Sequence, residues 1–85
     1  MTIPISNWLL RRYAVLWKRH RNNKIGFKDV TETLKEKNDK RVTVILSELK
    51  KSGWICVERN KEDKRKGIYQ LKSPEKIIDE IATNY

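Results

Sequence analysis

The stretch DKRVTVILSELKKSGWICVERNKEDKRKGIYQL, residues 39–71, decides the fold. Four apolar side chains recur there with the i, i+3, i+4, i+7 spacing of an amphipathic helix: Val42, Ile45, Leu46 and Leu49. This spacing predicts a helix over 40–52, and Gly53 ends it because glycine adopts the left-handed cap conformation without steric cost. Residues 54–57 and 68–71 then predict the two strands of a β-hairpin, joined by a strongly charged turn.

The charge of the chain indicates which class of partner it binds. Its 85 residues, enough for one domain over 1–85, include 20 Lys and Arg but only 11 Asp and Glu, a net charge of +9. Residues 1–71 carry 18 basic and 8 acidic side chains, a net +10, whereas 72–85 carry 2 and 3, a net −1. A basic body of this kind favours a polyanion, and nucleic acid is the leading candidate.

The remaining segments predict three further elements and a short strand. Apolar spacing predicts a first helix from about Ser6, its N-cap, to about residue 21. Residues 24–27 are long enough only for a turn or a small strand, and 28–36 predict a second helix. Ser73 and Pro74 are typical of the start of a last helix over 74–85, so that the core of the domain spans about 6–72.

The predicted order is helix, short strand, helix, helix, strand, strand, helix. This order resembles that of the winged helix-turn-helix family, and local motifs point nearest to MarR-type and ArsR-type transcription regulators. The motifs are LKKSG over 49–53 followed by Ile55 and Arg59, DKR over 63–65, and GIYQL over 67–71. The turn before the family's recognition helix usually carries a glycine and an apolar plug, and the turn KEKND over 35–39 has neither.

The resemblance implies an α+β fold, with a three-helix core, an antiparallel wing of two or three strands and a C-terminal helix. It also implies sequence-specific binding of double-stranded DNA as a transcription regulator. In that geometry the helix over 40–52 enters the major groove and the wing over 60–67 meets the backbone or minor groove. The predicted DNA-contact residues are Lys40, Arg41, Thr43, Val44 and Ser47 in the helix and Lys61, Lys64, Arg65 and Lys66 in the wing. Lys40, Arg41, Thr43 and Ser47 also fit the solvated face of an amphipathic helix, but that interpretation leaves the basic cluster in the wing unexplained.

Aromatic, sulfur and imidazole side chains have simpler interpretations. Trp8, Trp17 and Trp54 fit core or interface packing better than stacking on single-stranded bases, since each has apolar neighbours. Cys56, between two apolar residues of a predicted strand, is expected to be buried. His20 near a helix C-terminus fits a partner of the helix dipole or of a phosphate.

Several classes of function are not expected. No catalytic constellation, glycine-rich phosphate loop or metal-ligand cluster is visible, so the sequence predicts neither an enzyme nor a bound metal, cofactor or small-molecule ligand. A single cysteine fits a cytoplasmic protein, and no apolar run is long enough to span a membrane.

The partners other than DNA leave alternatives open. A winged helix also serves as a protein-interaction module, as an RNA-binding domain or as the targeting module of a larger protein. Surplus apolar side chains in the first and last helices predict a homodimer through those helices. The competing interpretation is a fragment whose last helix continues beyond Tyr85.

Overall fold

A computed structural model of the chain describes residues 2–59 and 67–83. The elements in chain order are α1 (Asn7–His20), β1 (Ile25–Gly26), α2 (Phe27–Leu34), α3 (Asp39–Lys51), β2 (Ile55–Arg59), β3 (Gly67–Leu71) and α4 (Pro74–Thr83). The predicted α+β winged-helix architecture is confirmed. The predicted contacts at Lys61, Lys64, Arg65 and Lys66 lie outside the described residues, as does residue 85 at the end of the predicted last helix.

The wing is a three-stranded antiparallel sheet with the order β1-β3-β2. In β3, Tyr69 lies opposite Ile25 of β1 on one side and opposite Val57 of β2 on the other. The short segment after α1 is therefore a strand of the wing, one of the two outcomes that its length allowed.

The core lies between the inner faces of the helices and the base of the sheet. The apolar stripe predicted for α3 is confirmed, since Val42 and Leu49 have no exposed surface and Ile45 and Leu46 are 5% exposed. The other helices contribute Leu9, Tyr13 and Leu16 from α1, Val30 from α2 and Ile77 from α4. Burial raises the pKa of the Tyr13 phenol to about 12, and its hydroxyl donates to the carbonyl of Lys72.

The end of α3 shows why Gly53 follows it. Gly53 has φ 78°, the left-handed conformation that glycine adopts without strain. The Gly53 amide donates to the Lys50 carbonyl at 3.1 Å and the Trp54 amide to the Leu49 carbonyl at 2.9 Å. This Schellman pattern satisfies the last carbonyls of the helix and turns the chain into β2.

The turn between α2 and α3 contains a non-glycine residue, Lys35, in the left-handed backbone conformation. Lys35 has φ 54° and ψ 35°, and its amide donates to the Glu32 carbonyl. A side chain in this conformation costs about 1–2 kcal/mol. The turn thus has lysine at a position where glycine would be unstrained.

The surroundings of Cys56 and His20 differ from those that the sequence predicted. The prediction that Cys56 is buried is wrong, because successive residues of a strand point to opposite faces and Cys56 points away from the core side that Ile55 occupies. His20 has a partner that the sequence did not reveal, since its Nε2 atom lies 2.6 Å from the Thr33 hydroxyl and joins α1 to α2.

Candidate nucleic-acid interface

The N-terminus of α3 is fixed by a chain of short local bonds. The Asn38 side chain accepts a hydrogen bond from the Lys40 amide at 3.0 Å and so caps the helix. The Glu36 carboxylate accepts from the Asn38 amide at 3.2 Å, which ties the cap to the preceding turn. The first turn of α3, which carries Lys40 and Arg41, is therefore held in a fixed direction relative to α2.

One face of α3 points away from the core and carries no acidic side chain at its centre. At about 100° per residue, four side chains lie opposite the buried stripe. These are Lys40, Val44, Ser47 and Lys51, and all four are exposed. The structure thus brings together three of the five residues predicted on this helix, and we call the four the α3 outer face.

Thr43 lies on the edge of α3 that faces the wing. With Ser47 and Lys50 it lines a cleft of about 260 Å³ whose far wall includes Val57 and Tyr69. The Thr43 hydroxyl donates to the Asp39 carbonyl at 2.9 Å, so toward a ligand it presents its methyl group and oxygen lone pairs. Lys50, seven residues after Thr43 on the same helix edge, lies too far along α3 to be expected at a base and is placed at most to reach a phosphate.

Arg41 lies on the opposite edge of α3, next to α1. Its Nη1 atom is 3.9 Å from a carboxylate oxygen of Glu36, and the side chain is 74% exposed. An exposed ion pair of this length contributes well under about 1 kcal/mol, so Arg41 can exchange it for another acceptor. Trp8 and Arg12 of α1 line the same cleft as Arg41, an arrangement that the sequence did not predict because it depends on how α1 packs.

The three tryptophans have different environments. Trp54 is 7% exposed, and its indole nitrogen donates to the Ile3 carbonyl at 2.7 Å. Trp17 is half-buried against the core, with the Arg21 guanidinium 5.9 Å from its ring centre. Trp8 is 47% exposed, with Arg12 at the same distance from its ring. Packing therefore accounts for Trp17 and Trp54, and only Trp8 presents a largely open ring.

Residues 2–59 and 67–83 contain neither a metal-ligand cluster nor a membrane-spanning helix. No group of three or more His, Cys, Asp or Glu side chains in these ranges is placed to hold a metal ion. The helices described are too short or too polar to cross a membrane.

Comparison with known proteins identifies the fold through solved structures. No protein-family model and no curated protein matches the chain. Reduced AbfR bound to DNA is 24% identical with a TM-score of 0.64, over 93% of this chain and 59% of AbfR. Overoxidized AbfR bound to DNA is 23% identical with a TM-score of 0.64, over 95% of this chain and 60% of AbfR.

The third structure concerns the regulation of DNA binding of Bordetella bronchiseptica BpsR by 6-hydroxynicotinic acid. It is 18% identical with a TM-score of 0.68, over 93% of this chain and 60% of BpsR. The chain therefore spans about three fifths of the length of these proteins. At these identities the likeness concerns the fold, and it confirms the predicted α+β winged-helix fold class.

Proposed function

We propose that this chain binds double-stranded DNA as a transcription regulator, with α3 in the major groove. The observation that supports this most directly is the α3 outer face, which is exposed, basic and polar, and carried by a fold shared with proteins solved on DNA. The proposed wing contacts at Lys61, Lys64, Arg65 and Lys66 meet the backbone or minor groove. A cytoplasmic location belongs to the same proposal.

The chemistry of each helix position suits a particular part of DNA. The methyl groups of Val44 can contact a thymine methyl in the major groove, and Ser47 can bond a base edge or a phosphate. Lys40 and Lys51, at the two ends of the α3 outer face, reach phosphates. Arg41 can form paired hydrogen bonds to guanine once it leaves Glu36.

A salt titration tests this proposal. If about six basic side chains meet phosphates, the slope of log K against log salt concentration is about −5. The measurement is fluorescence anisotropy of a labelled duplex over a series of salt concentrations, with single-stranded DNA and structured RNA as parallel probes. A flat salt response, or tighter binding of the RNA than of the duplex, would contradict the proposal.

We also propose a homodimer through α1 and α4. Beyond its buried stripe, α1 exposes Leu10, which is 42% accessible, and α4 exposes Ile78, which is 67% accessible. Apolar side chains left open on both helices suit a self-complementary interface, and a two-fold dimer would match a palindromic DNA site.

Sedimentation at micromolar concentration measures this association. We expect about twice the 10.2 kDa chain mass for the wild type and a monomer for Ile78→Glu, which places a charge in the interface. Val44→Glu is the matched control, because Val44 is also exposed, at 52%, but lies on the α3 outer face. A wild-type monomer would refute the dimer and leave the DNA-binding proposal untouched.

A further inference from the structure

Two adjoining clefts lie between α1 and the turn that joins α2 to α3. One, of about 340 Å³, is lined in part by Trp8, Lys40, Arg41 and Val44. The other, of about 320 Å³, is lined in part by Arg11, Val15, Leu34 and Lys35. Both clefts share Arg12, Glu36 and Ile45, so they lie side by side, and we call the pair the α1 groove.

The α1 groove collects apolar side chains that the fold leaves open. Trp8 and Val15 are each 47% exposed and Val44 is 52% exposed, while Ile45 forms a buried part of the floor. These three are half of the six large exposed apolar side chains in the part of the chain that the structure describes. Clusters of this kind mark binding surfaces, and tryptophan is enriched among the residues that dominate binding energy. A phosphate backbone alone would leave them uncovered.

The rim of the α1 groove is basic. Five cationic side chains line it, namely Arg11, Arg12, Lys35, Lys40 and Arg41. The lining contains one carboxylate, that of Glu36. Its Oε2 atom lies 3.9 Å from Arg41 Nη1, and its Oε1 atom accepts a hydrogen bond from the Asn38 amide. The groove therefore presents an excess of positive charge around an apolar floor, and its occupant must be both acidic and apolar.

The two exposed apolar side chains that α1 contributes to the groove are separated by two helical turns. Trp8 and Val15 lie seven residues apart on α1, about 10.5 Å at 1.5 Å per residue. A docked helix presents its i and i+7 side chains over the same distance, with an i+3 or i+4 side chain between them.

We propose that the α1 groove binds an acidic amphipathic helix of a partner protein. Apolar side chains at i, i+3 or i+4, and i+7 fill the space along Trp8 and Val15, and flanking carboxylates pair with the arginines. Lys40, Arg41 and Val44 belong both to this groove and to the predicted DNA contacts. A bound helix would therefore displace DNA, a consequence that rests on the proposed function.

The probe is a labelled synthetic peptide of about 15 residues, close to the length at which isolated helices become stable. It carries Leu at i, i+3 and i+7 and Glu on the flanks, and a scrambled peptide of the same composition is its control. In fluorescence anisotropy without DNA, we expect the amphipathic peptide to bind at least about tenfold more tightly than the scrambled one. Equal binding of the two peptides, or none, would overturn the proposal.

Paired variants locate the peptide on the protein. Trp8→Ala should weaken binding about tenfold, whereas Ile3→Ala, at an exposed apolar side chain that lines neither cleft, should leave it unchanged. Arg12→Glu should abolish binding, while Lys28→Glu makes the same charge change on α2, outside the lining of both clefts. All four side chains are exposed, and a thermal melt of each variant confirms its fold. Equal losses in the members of either pair would overturn the assignment.

A competition experiment tests whether DNA and the peptide occupy the same surface. A sedimentation experiment tests whether a second copy of the chain fills the groove. Duplex DNA should displace the peptide, and a peptide that stays bound at saturating DNA would overturn the overlap. Since peptide binding is measured without DNA, it stands or falls independently of the proposed function. If Trp8→Ala but not Leu10→Ala dissociates a wild-type dimer, a second copy fills the groove and the partner peptide is overturned.

Discussion

At the scale of single residues, Arg41 can pair either with Glu36 or with an acceptor on DNA. In the free protein its guanidinium lies near Glu36, at the edge of α3 and beside α1. On DNA it would reach a guanine or a phosphate instead. The exposed ion pair with Glu36 is weak, so little free energy is lost when it breaks. Whether Arg41 binds DNA therefore depends mainly on the geometry of the DNA site.

Replacement of Arg41 by Ala should therefore reduce discrimination more than affinity. We expect Arg41→Ala to lose about 1–3 kcal/mol of preference for the best site over a mutated one. Lys51→Ala, at the other end of the α3 outer face, should weaken binding to both duplexes alike. Competition between the two duplexes at fixed salt measures this, and identical behaviour of the variants would contradict the groove assignment.

At the scale of elements, the turn before α3 stores strain in Lys35. Its left-handed φ of 54° is available to glycine without penalty. Lys35→Gly should therefore stabilise the protein by about 0.5–1 kcal/mol, which raises the melting temperature by a few degrees in a domain of this size. Lys37→Gly, in the same turn but without a left-handed φ, should not raise it. Calorimetry of both variants decides, and a lower melting temperature for Lys35→Gly would contradict the strain.

The elements themselves could be predicted from the sequence because each one has a local signal. The stripe from Val42 to Leu49 has helical spacing, Asn38 and Gly53 occupy cap positions, and Ser73 precedes Pro74. The Ser73 hydroxyl indeed accepts the Lys76 amide. Cys56 shows the limit, since apolar neighbours in sequence do not reveal which face of a strand is covered.

The candidate site could be predicted only as a set of residues, not as an arrangement. The predicted buried stripe indicates which side chains of α3 point outward, but that Arg41 lies beside α1 and Thr43 beside the wing depends on tertiary packing. The α1 groove depends on the packing of α1 beside the α2–α3 turn. That packing joins residues about 30 positions apart, and no spacing rule within one element reveals it.

At the scale of the whole molecule, a partly exposed ion pair of Lys72 and Glu80 binds Thr2 and so joins the beginning of the chain to its last described helix. Lys72 Nζ lies 2.7 Å from Glu80 Oε2 and 3.0 Å from the Thr2 hydroxyl, which also donates to Glu80. The hydrogen bonds from Lys72 and Thr2 lower the pKa of the Glu80 carboxyl below its usual value of 4.5. The charged form is therefore favoured in the folded state.

Acid should protonate Glu80 and so remove the stability that its bonds to Lys72 and Thr2 contribute. A carboxyl whose pKa is lowered by folding contributes stability above 4.5, and the contribution is lost as the pH falls below that value. The wild type should thus lose more of its melting temperature on acidification than Glu80→Gln does. Glu75→Gln, on the same helix, leaves the Glu80 bonds in place and should keep the wild-type response. Equal acid responses of Glu80→Gln and the wild type would contradict the role of Glu80.

The bond from Thr2 to Glu80 also bears on the order of folding. It joins residues 78 positions apart, and the entropy of closing so long a loop is not offset until the helices and sheet have packed. We therefore expect the segment from Thr2 to Ile3 to dock after the folding transition state. Its contacts, including that of the Ile3 amide with the Ser52 carbonyl, should then slow unfolding and leave the folding rate unchanged.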